Sequence, residues 1–287
     1  MYTMNKKQSK NWVDTHFHVF HAGVAVKGAR YVPPYTAALQ DWMALAQGVG
    51  VTRGVWVQPS FLGVDNSLMV NALKTHSDVL RGAAVVAATA DVEVLEALHA
   101  VGVRGLRLNL AGISHDIPEW TQAEPVWHTM RQLGWHLEVH TDQGALPKVL
   151  VQLPTDMPLV VDHMGTPDVK LPVDGPQFQL FLKFMREHHN VWCKVTCPER
   201  LSVAGAPALN GEQNAYQDVV PFAKAIVDEF PDRVLWGTDW PHPNLKKHMP
   251  DDGLLVDFIP HIATTPALQQ KLLVDNPMRL YWPEETA

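Results

Sequence analysis

Cysteine is nearly absent: two occur in 287 residues, Cys193 and Cys197. No disulfide framework can be built from them, so a reducing compartment is expected. Long apolar runs are missing too. No stretch of about 18 apolar residues occurs, and no membrane-spanning helix is expected. The basic N-terminal MYTMNKKQSK leads into no apolar run of signal-peptide length, so the expected location is the cytoplasm. Positive charge is in deficit, with 23 Lys and Arg against 30 Asp and Glu and a net charge of -7. A nucleic-acid surface needs clustered basic residues, so that class of partner is not expected. A small anionic ligand held by a few local arginines stays compatible with an acidic chain, and so does a homo-oligomer. Internal repeats, low-complexity tracts and linker-like stretches are also lacking. With 46% hydrophobic residues, the chain can bury a sizeable core and is not disordered in type.

What is present is a series. Eight short apolar, β-branched runs begin at Trp12, Arg53, Gly82, Val103, Trp135, Leu159, Val191 and Val234. Most are separated by helix-like stretches such as ALQDWMALAQGVG, DVEVLEALHAVG and FQLFLKFMREHH. Strands alternating with amphipathic helices mean parallel βαβ units, and eight of them in this length predict a single (β/α)8 TIM barrel over residues 1–287. The stretch TTPALQQKLLVDNPMRLYW reads as the last helix, with Thr264 or Thr265 as cap and Pro266 at the first helical position. The long Gly-, Pro- and Ala-rich loop 198–217 follows a strand and belongs on the catalytic face.

Barrel enzymes carry their chemistry at the C-terminal ends of the strands. His16 and His18 end the first run and, two apart, point to one side. Arg107 and Asn109 end the fourth, His140 the fifth, His163 the sixth and Asp239 the eighth. A lone buried histidine is more often a hydrogen-bonded core residue than a functional one. Four of them with an aspartate, converging on one mouth, are a different matter. Burying that polarity costs several kcal/mol, on the order of 2–7 per unsatisfied group, unless it is paired or used. Two chemistries fit. The cluster could hold one Zn²⁺ that activates water. Without metal, the imidazoles polarise a carbonyl and the aspartate takes a proton from water. The pair in CKVTC lacks zinc-ribbon spacing; Cys193 is expected in the core and Cys197 on the pocket wall. Trp240, His242 and Asn244, in TDWPHPN, are further candidates at the mouth.

The segments DTHFHVF, VVDHMG and GTDWPHPN resemble the amidohydrolase superfamily. The likeness is to the branch of the 2-pyrone-4,6-dicarboxylate hydrolases, 4-sulfomuconolactone hydrolases and D-galactarolactone isomerases, and it spans nearly the whole chain. QPSFLGVDN, VRGLRLNL, TCPERL, PDDGLLVDFIP and NPMRLYW resemble the pyrone-dicarboxylate hydrolases in particular. The resemblance implies a (β/α)8 barrel and hydrolysis of a carboxylated lactone. It makes Asp239 the base that activates water, with His16, His18 and His163 around the scissile carbonyl. Arg107 and Arg200 would bind carboxylates, as two guanidiniums near one pocket suit an anionic ligand. Tyr31 and Ser60 would add hydrogen bonds.

Two positions depart from the pyrone pattern. That pattern has a second arginine six residues beyond Arg107, where this chain has Ile113, and a tyrosine at the end of the fifth strand, where it has His140. A lactone with a differently placed acid group is therefore expected, with His115 or Lys170 as neighbours that could compensate. His140 also restores the set His16, His18, His140 and Asp239, which some superfamily members use for one metal ion, while the pyrone type works without. Either no cofactor or a single Zn²⁺ is expected. An isomerase of the galactarolactone type and a Zn²⁺-dependent decarboxylase of the wider group are the competing activities.

Overall fold

The computed structural model describes residues 10–204, 216–245 and 249–286. Eight parallel strands form one sheet in chain order. They are β1 (Trp12–Phe17), β2 (Val51–Val57), β3 (Leu80–Ala84), β4 (Val103–Asn109), β5 (His136–His140), β6 (Leu159–Val161), β7 (Val191–Lys194) and β8 (Val234–Leu235). All eight expected strands form. The sheet curls into a nearly closed barrel because residues after β8 return to β1. Thr15 donates its N–H (3.0 Å) and its hydroxyl (2.9 Å) to the carbonyl of Trp236. His18 donates its N–H to Trp240 O, and Asp239 donates its own to His16 O, both at 2.8 Å. The eighth strand is shorter than the run VLWGTD suggests, since beyond Leu235 these separate bonds replace a continuous ladder.

Helices cover the outside. The main ones are α1 (Leu39–Val49), α2 (Ser67–Thr75), α3 (Val92–Ala100), α4 (Glu124–Gln132), α5 (Leu146–Leu150), α6 (Pro176–Glu187), α7 (Val220–Glu229) and α8 (Asp252–Ile262). α1 buries Leu39, Trp42 and Ala46, and α6 buries Phe178, Leu182 and Met185, so each turns one apolar stripe to the strands. The expected last helix starts as read, with Thr265 accepting from Leu268 N at 3.2 Å and Pro266 following. It is not one helix, however. A π-turn over Lys271–Asp275 precedes the helix Asn276–Tyr281, because Pro277 has no N–H with which to continue the regular ladder. Tyr281 and Trp282 then join Val13, Val55, Val57, Ala83, Val160 and Leu235 inside the barrel. The loop expected on the catalytic face lies largely outside the described residues, at 205–215.

Two local features aim the first strand. Between Asp14 and Phe17 its register against β2 slips: Asp14 pairs with Gly54, and Phe17 with Trp56. Three steps against two let Val13 and His16 both face inwards, while Phe17 stacks on Trp42 outside, 3.9 Å between ring centres. Asp14 then locks the seam. It accepts from Thr238 N (2.9 Å), Thr238 Oγ1 (2.7 Å), Trp42 Nε1 (3.0 Å) and His16 N (3.1 Å). This close approach needs a glycine at 237, where a Cβ would stand 2.6 Å from His16 N and 2.9 Å from Asp14 Oδ1.

The loop after β8 is tied by His242. Its Nδ1 faces Glu199 Oε1 at 3.3 Å and its Nε2 faces Asp252 Oδ1 at 3.1 Å. Burial alone would lower its pKa, but the hydrogen bonds to Asp252 and Glu199 raise it to about 10. Two measurements check this frame. Gly237→Ala is expected to cost about 1–3 kcal/mol in urea unfolding, the range for an overpacked core. Gly48→Ala, in open space on α1, should be neutral or stabilising. The stability of the wild type over His242→Gln should be full below the ordinary histidine value of 6.5. It should shrink as pH rises through about 10, because the proton that binds the two carboxylates is then lost.

Candidate active site

Strand ends bring the expected histidines and the aspartate together at the barrel mouth. His16 and His18 are buried, with ring centres 5.0 Å apart, and His163 stands 5.0 Å from His16. Asp239 Oδ1 lies 3.2 Å from His18 Nε2 and 3.5 Å from His16 Nε2. Its other oxygen, Oδ2, accepts from Arg200 at 2.8 Å. Burial would raise the Asp239 pKa, yet Arg200 and the hydrogen bond from His18 hold it well below the usual carboxylate range. His18 gives Nδ1–H to Val57 O at 2.7 Å, so its Nε2 is the nitrogen turned to Asp239. That contact is a hydrogen bond only with a proton between the two atoms. The pair is built to hold one.

The backbone here is strained. Asp239 (φ 61°), His163 (51°), Cys197 (59°), His242 (59°) and Asn244 (62°) all occupy the left-handed region without being glycine. Each such residue costs on the order of 1–3 kcal/mol and persists where surrounding structure enforces it. Four of these five, all but Asn244, are buried. Such conformations gather at sites where side-chain direction matters more than stability.

Below the mouth lies a layer that the strand-end pattern does not reveal. Lys194 on β7, Glu138 on β5 and Asp162 after β6 are fully or almost fully buried. Lys194 Nζ is 2.5 Å from Glu138 Oε2, 3.7 Å from Asp162 Oδ1 and 3.2 Å from His16 Nδ1. Burial and the neighbouring carboxylate push Glu138 up, but Lys194 prevails and its pKa falls to about 2. Asp162 likewise falls to about 2, against burial, under Lys194 and Arg107. Burial, then the Lys194 charge, push His16 well below its ordinary value, so its ring is neutral. The signal is present in the sequence. Charged residues interrupt the apolar strands HLEVH and VWCK, and alternation puts Glu138 on the face shared by His136 and His140.

The expected substrate-binding residues divide into two groups. Arg107 is 3% exposed and sits in that lower layer, 3.2 Å from Asp162, 3.5 Å from Glu138 and 3.2 Å from the carbonyl of Gln58. Arg200 retains 29% exposure and also donates to Pro243 O at 3.3 Å. Its sequence neighbour Glu199 is turned to His242 instead. Tyr31 packs edge-on to Phe61 on the rim, and Ser60 accepts from Arg30 at 3.4 Å. Asn244 is exposed at the mouth, as is Ile113 on the opposite rim. His115 faces Asp142 at 3.3 Å, while Lys170 is exposed. Tyr35, not expected from sequence, reaches the site by donating to Pro241 O at 3.1 Å. Cys193 is buried in the core, and Cys197 Sγ lies 3.8 Å from His163 Nε2.

Donor atoms of His16, His18 and Asp239 lie within 4.8 Å of one another, which suits a metal ion by distance. His140 belongs to no such group among the described residues and stacks edge-on to His163, 4.6 Å away. Burial, then Arg107, lowers its pKa to about 4. A ligating imidazole donates its other N–H to a carbonyl or carboxylate. His18 meets that condition through Val57. His16 meets it less well, since its other nitrogen is closest to the Lys194 ammonium at 3.2 Å, with the carboxylates of Asp162 and Glu138 farther off at 3.5 and 3.8 Å. The donor set therefore fits a metal poorly.

A family model described as amidohydrolase matches residues 13–282. The chain is 54% identical over 278 residues to a 2-pyrone-4,6-dicarboxylate hydrolase of Comamonas testosteroni, covering 95% of this chain and 90% of the relative. It is 34% identical to a 4-sulfomuconolactone hydrolase of Rhizobium radiobacter, covering 93% and 89%. Its fold matches a crystal structure of a probable 2-pyrone-4,6-dicarboxylic acid hydrolase from Acinetobacter baumannii with citric acid bound. The TM-score is 0.81 and the identity 31%, over 95% of this chain and 99% of that one. With its nearly closed parallel barrel and histidine–aspartate mouth, the chain belongs to the amidohydrolase family.

Proposed function

We propose that this chain hydrolyses the ester bond of a carboxylated lactone of the 2-pyrone-4,6-dicarboxylate type, and that it does so without a metal. The observation that carries the reading is Asp239, a buried ionised carboxylate with imidazoles on one oxygen and an arginine on the other. The identity to a pyrone-dicarboxylate hydrolase supports the substrate class. The poor fit of His16 as a ligand supports metal-free chemistry.

A substrate carboxylate meets Arg200, the more exposed of the two arginines. Arg107 would have to leave Asp162 and Glu138 to do the same. Once the substrate shares the guanidinium, Oδ2 of Asp239 loses part of its clamp, and its basicity rises. Asp239 takes a proton from water as the oxygen attacks the ring carbonyl. The imidazole cluster stabilises the resulting oxyanion. When the carbonyl re-forms, the bond to the ring oxygen breaks. The proton held between Asp239 and His18 passes to that oxygen. The product is the open-chain acid, heavier than the lactone by one water.

Asp239→Asn keeps the shape and removes the base. It is expected to lower kcat by about 10²–10⁴-fold, the contribution of a general base, while substrate binding stays nearly unchanged. Near-normal turnover would rule out Asp239 as the base. A panel of carboxylated lactones, each product weighed by mass spectrometry with and without chelator, tests the reaction itself. A gain of one water on at least one member of the panel, insensitive to chelator, is expected. A product of unchanged mass would make the enzyme an isomerase, and loss of activity with chelator would refute the metal-free reading.

A further inference from the structure

We infer that Lys194 is the positioning residue of this site: it fixes the His16 ring with its proton on Nε2, so that His16 presents a hydrogen-bond donor to the carbonyl oxygen of the substrate. The inference rests on the lactonase reading for its catalytic half only. Lys194 Nζ lies 3.2 Å from His16 Nδ1 and 2.5 Å from Glu138 Oε2, with Asp162 Oδ1 at 3.7 Å. Two carboxylates make it an ammonium. An ammonium has three donors and no lone pair, so Nδ1 of His16 can only accept from it. Asp162 Oδ1 and Glu138 Oε1 also flank Nδ1, at 3.5 and 3.8 Å, but the ammonium is closer at 3.2 Å and would clash with an Nδ1–H, which assigns the one proton of a neutral ring to Nε2.

The far side of the ring agrees. His16 Nε2 is buried and has no hydrogen-bond partner in the protein. Asp239 Oδ1 stands 3.5 Å from it. A buried N–H without a partner is rare in a folded protein and calls for an explanation. Here the missing partner is the oxygen of a bound lactone, which becomes negatively charged as water attacks and so strengthens the bond in the transition state. His18 is turned the other way: Val57 O takes its Nδ1–H, and its Nε2 shares a proton with Asp239. Neighbouring imidazoles on one strand thus serve different ends: His16 offers a proton to the carbonyl, and His18 receives one beside Asp239. What separates them is the group behind each ring, an ammonium for one and a carbonyl for the other.

Lys194 itself touches no substrate. It is held from below, since Glu138 is 3.5 Å from Arg107 Nε, and Asp162 is 3.2 Å from Arg107 Nη2. The ion network fixes the lysine, and the lysine fixes the tautomer.

Nitrogen-15 NMR of histidine-labelled protein reads the tautomer directly, with His16 signals identified by their loss in His16→Gln. The substrate-free wild type is expected to show His16 protonated at Nε2 and bare at Nδ1. The reverse, or a ring exchanging between both forms, overturns the inference. A Lys194→Met, Glu138→Gln double variant removes the lysine and one carboxylate together, leaving the charge balanced. It should lose the single tautomer, and its kcat should fall about 100-fold or more, the effect of losing one oxyanion donor, with KM little changed. A fall in kcat with the tautomer retained, or a lost tautomer with normal kcat, overturns it as well. Should the double variant fail to fold, the wild-type spectrum decides. Because that spectrum needs no substrate, the tautomer it shows is independent of whether the lactone assignment holds.

Discussion

Two carboxylates and two cations share the inside of the barrel, and the site above them stands on that balance. Glu138 and Asp162 are matched by Lys194 and Arg107, all of them out of water. Removing one member of such a set leaves an uncompensated buried charge, which costs about 3–5 kcal/mol. Replacing the whole set with apolar residues need not destabilise the fold. Its presence is therefore better explained by direction than by stability. It points an ammonium at His16 from a fixed distance.

The mouth has its own constraint. Asp239, His163 and Cys197 are held with positive φ by the loops that leave β8, β6 and β7. Strain of this kind is tolerated because the seam beneath is over-determined. Asp14 takes four donors from three parts of the chain, and Gly237 lets those parts touch. The rigid seam sets where Asp239 stands. The ion layer sets which proton the ring beside it carries. Between them, a carboxylate, a donor and an acceptor converge with little freedom to rearrange, as pre-organised catalysis requires.

Arg200 links this interior to the solvent. It is the partner of Asp239 Oδ2 and also a partly exposed cation. In the proposed mechanism an anionic substrate and the base Asp239 draw on the same guanidinium. Binding and activation would then be coupled through one side chain, and the overall acidity of the chain does not oppose it, because the charge that matters is local.

The barrel is legible in the sequence because its signal is local. Apolar runs alternate with amphipathic stretches, and both periods follow from which face of an element is buried. The histidines and Asp239 are legible for a related reason: strand ends are where polar residues cannot be core. Lys194, Glu138 and Asp162 are not legible in the same way, although a charge inside an apolar strand breaks the pattern. A lysine in β7 does not announce that its partners lie in β5 and after β6, since their contact exists only when the sheet closes. Arg107 illustrates the same limit. Its place at a strand end is plain from the sequence, but whether a guanidinium faces ligand or protein carboxylates depends on residues 31 and 55 positions away along the chain. Sequence alone determined the elements and the kinds of chemistry available. Tertiary structure decided which groups are paired, because hydrogen bonds and buried charges are matched across the barrel rather than along the chain.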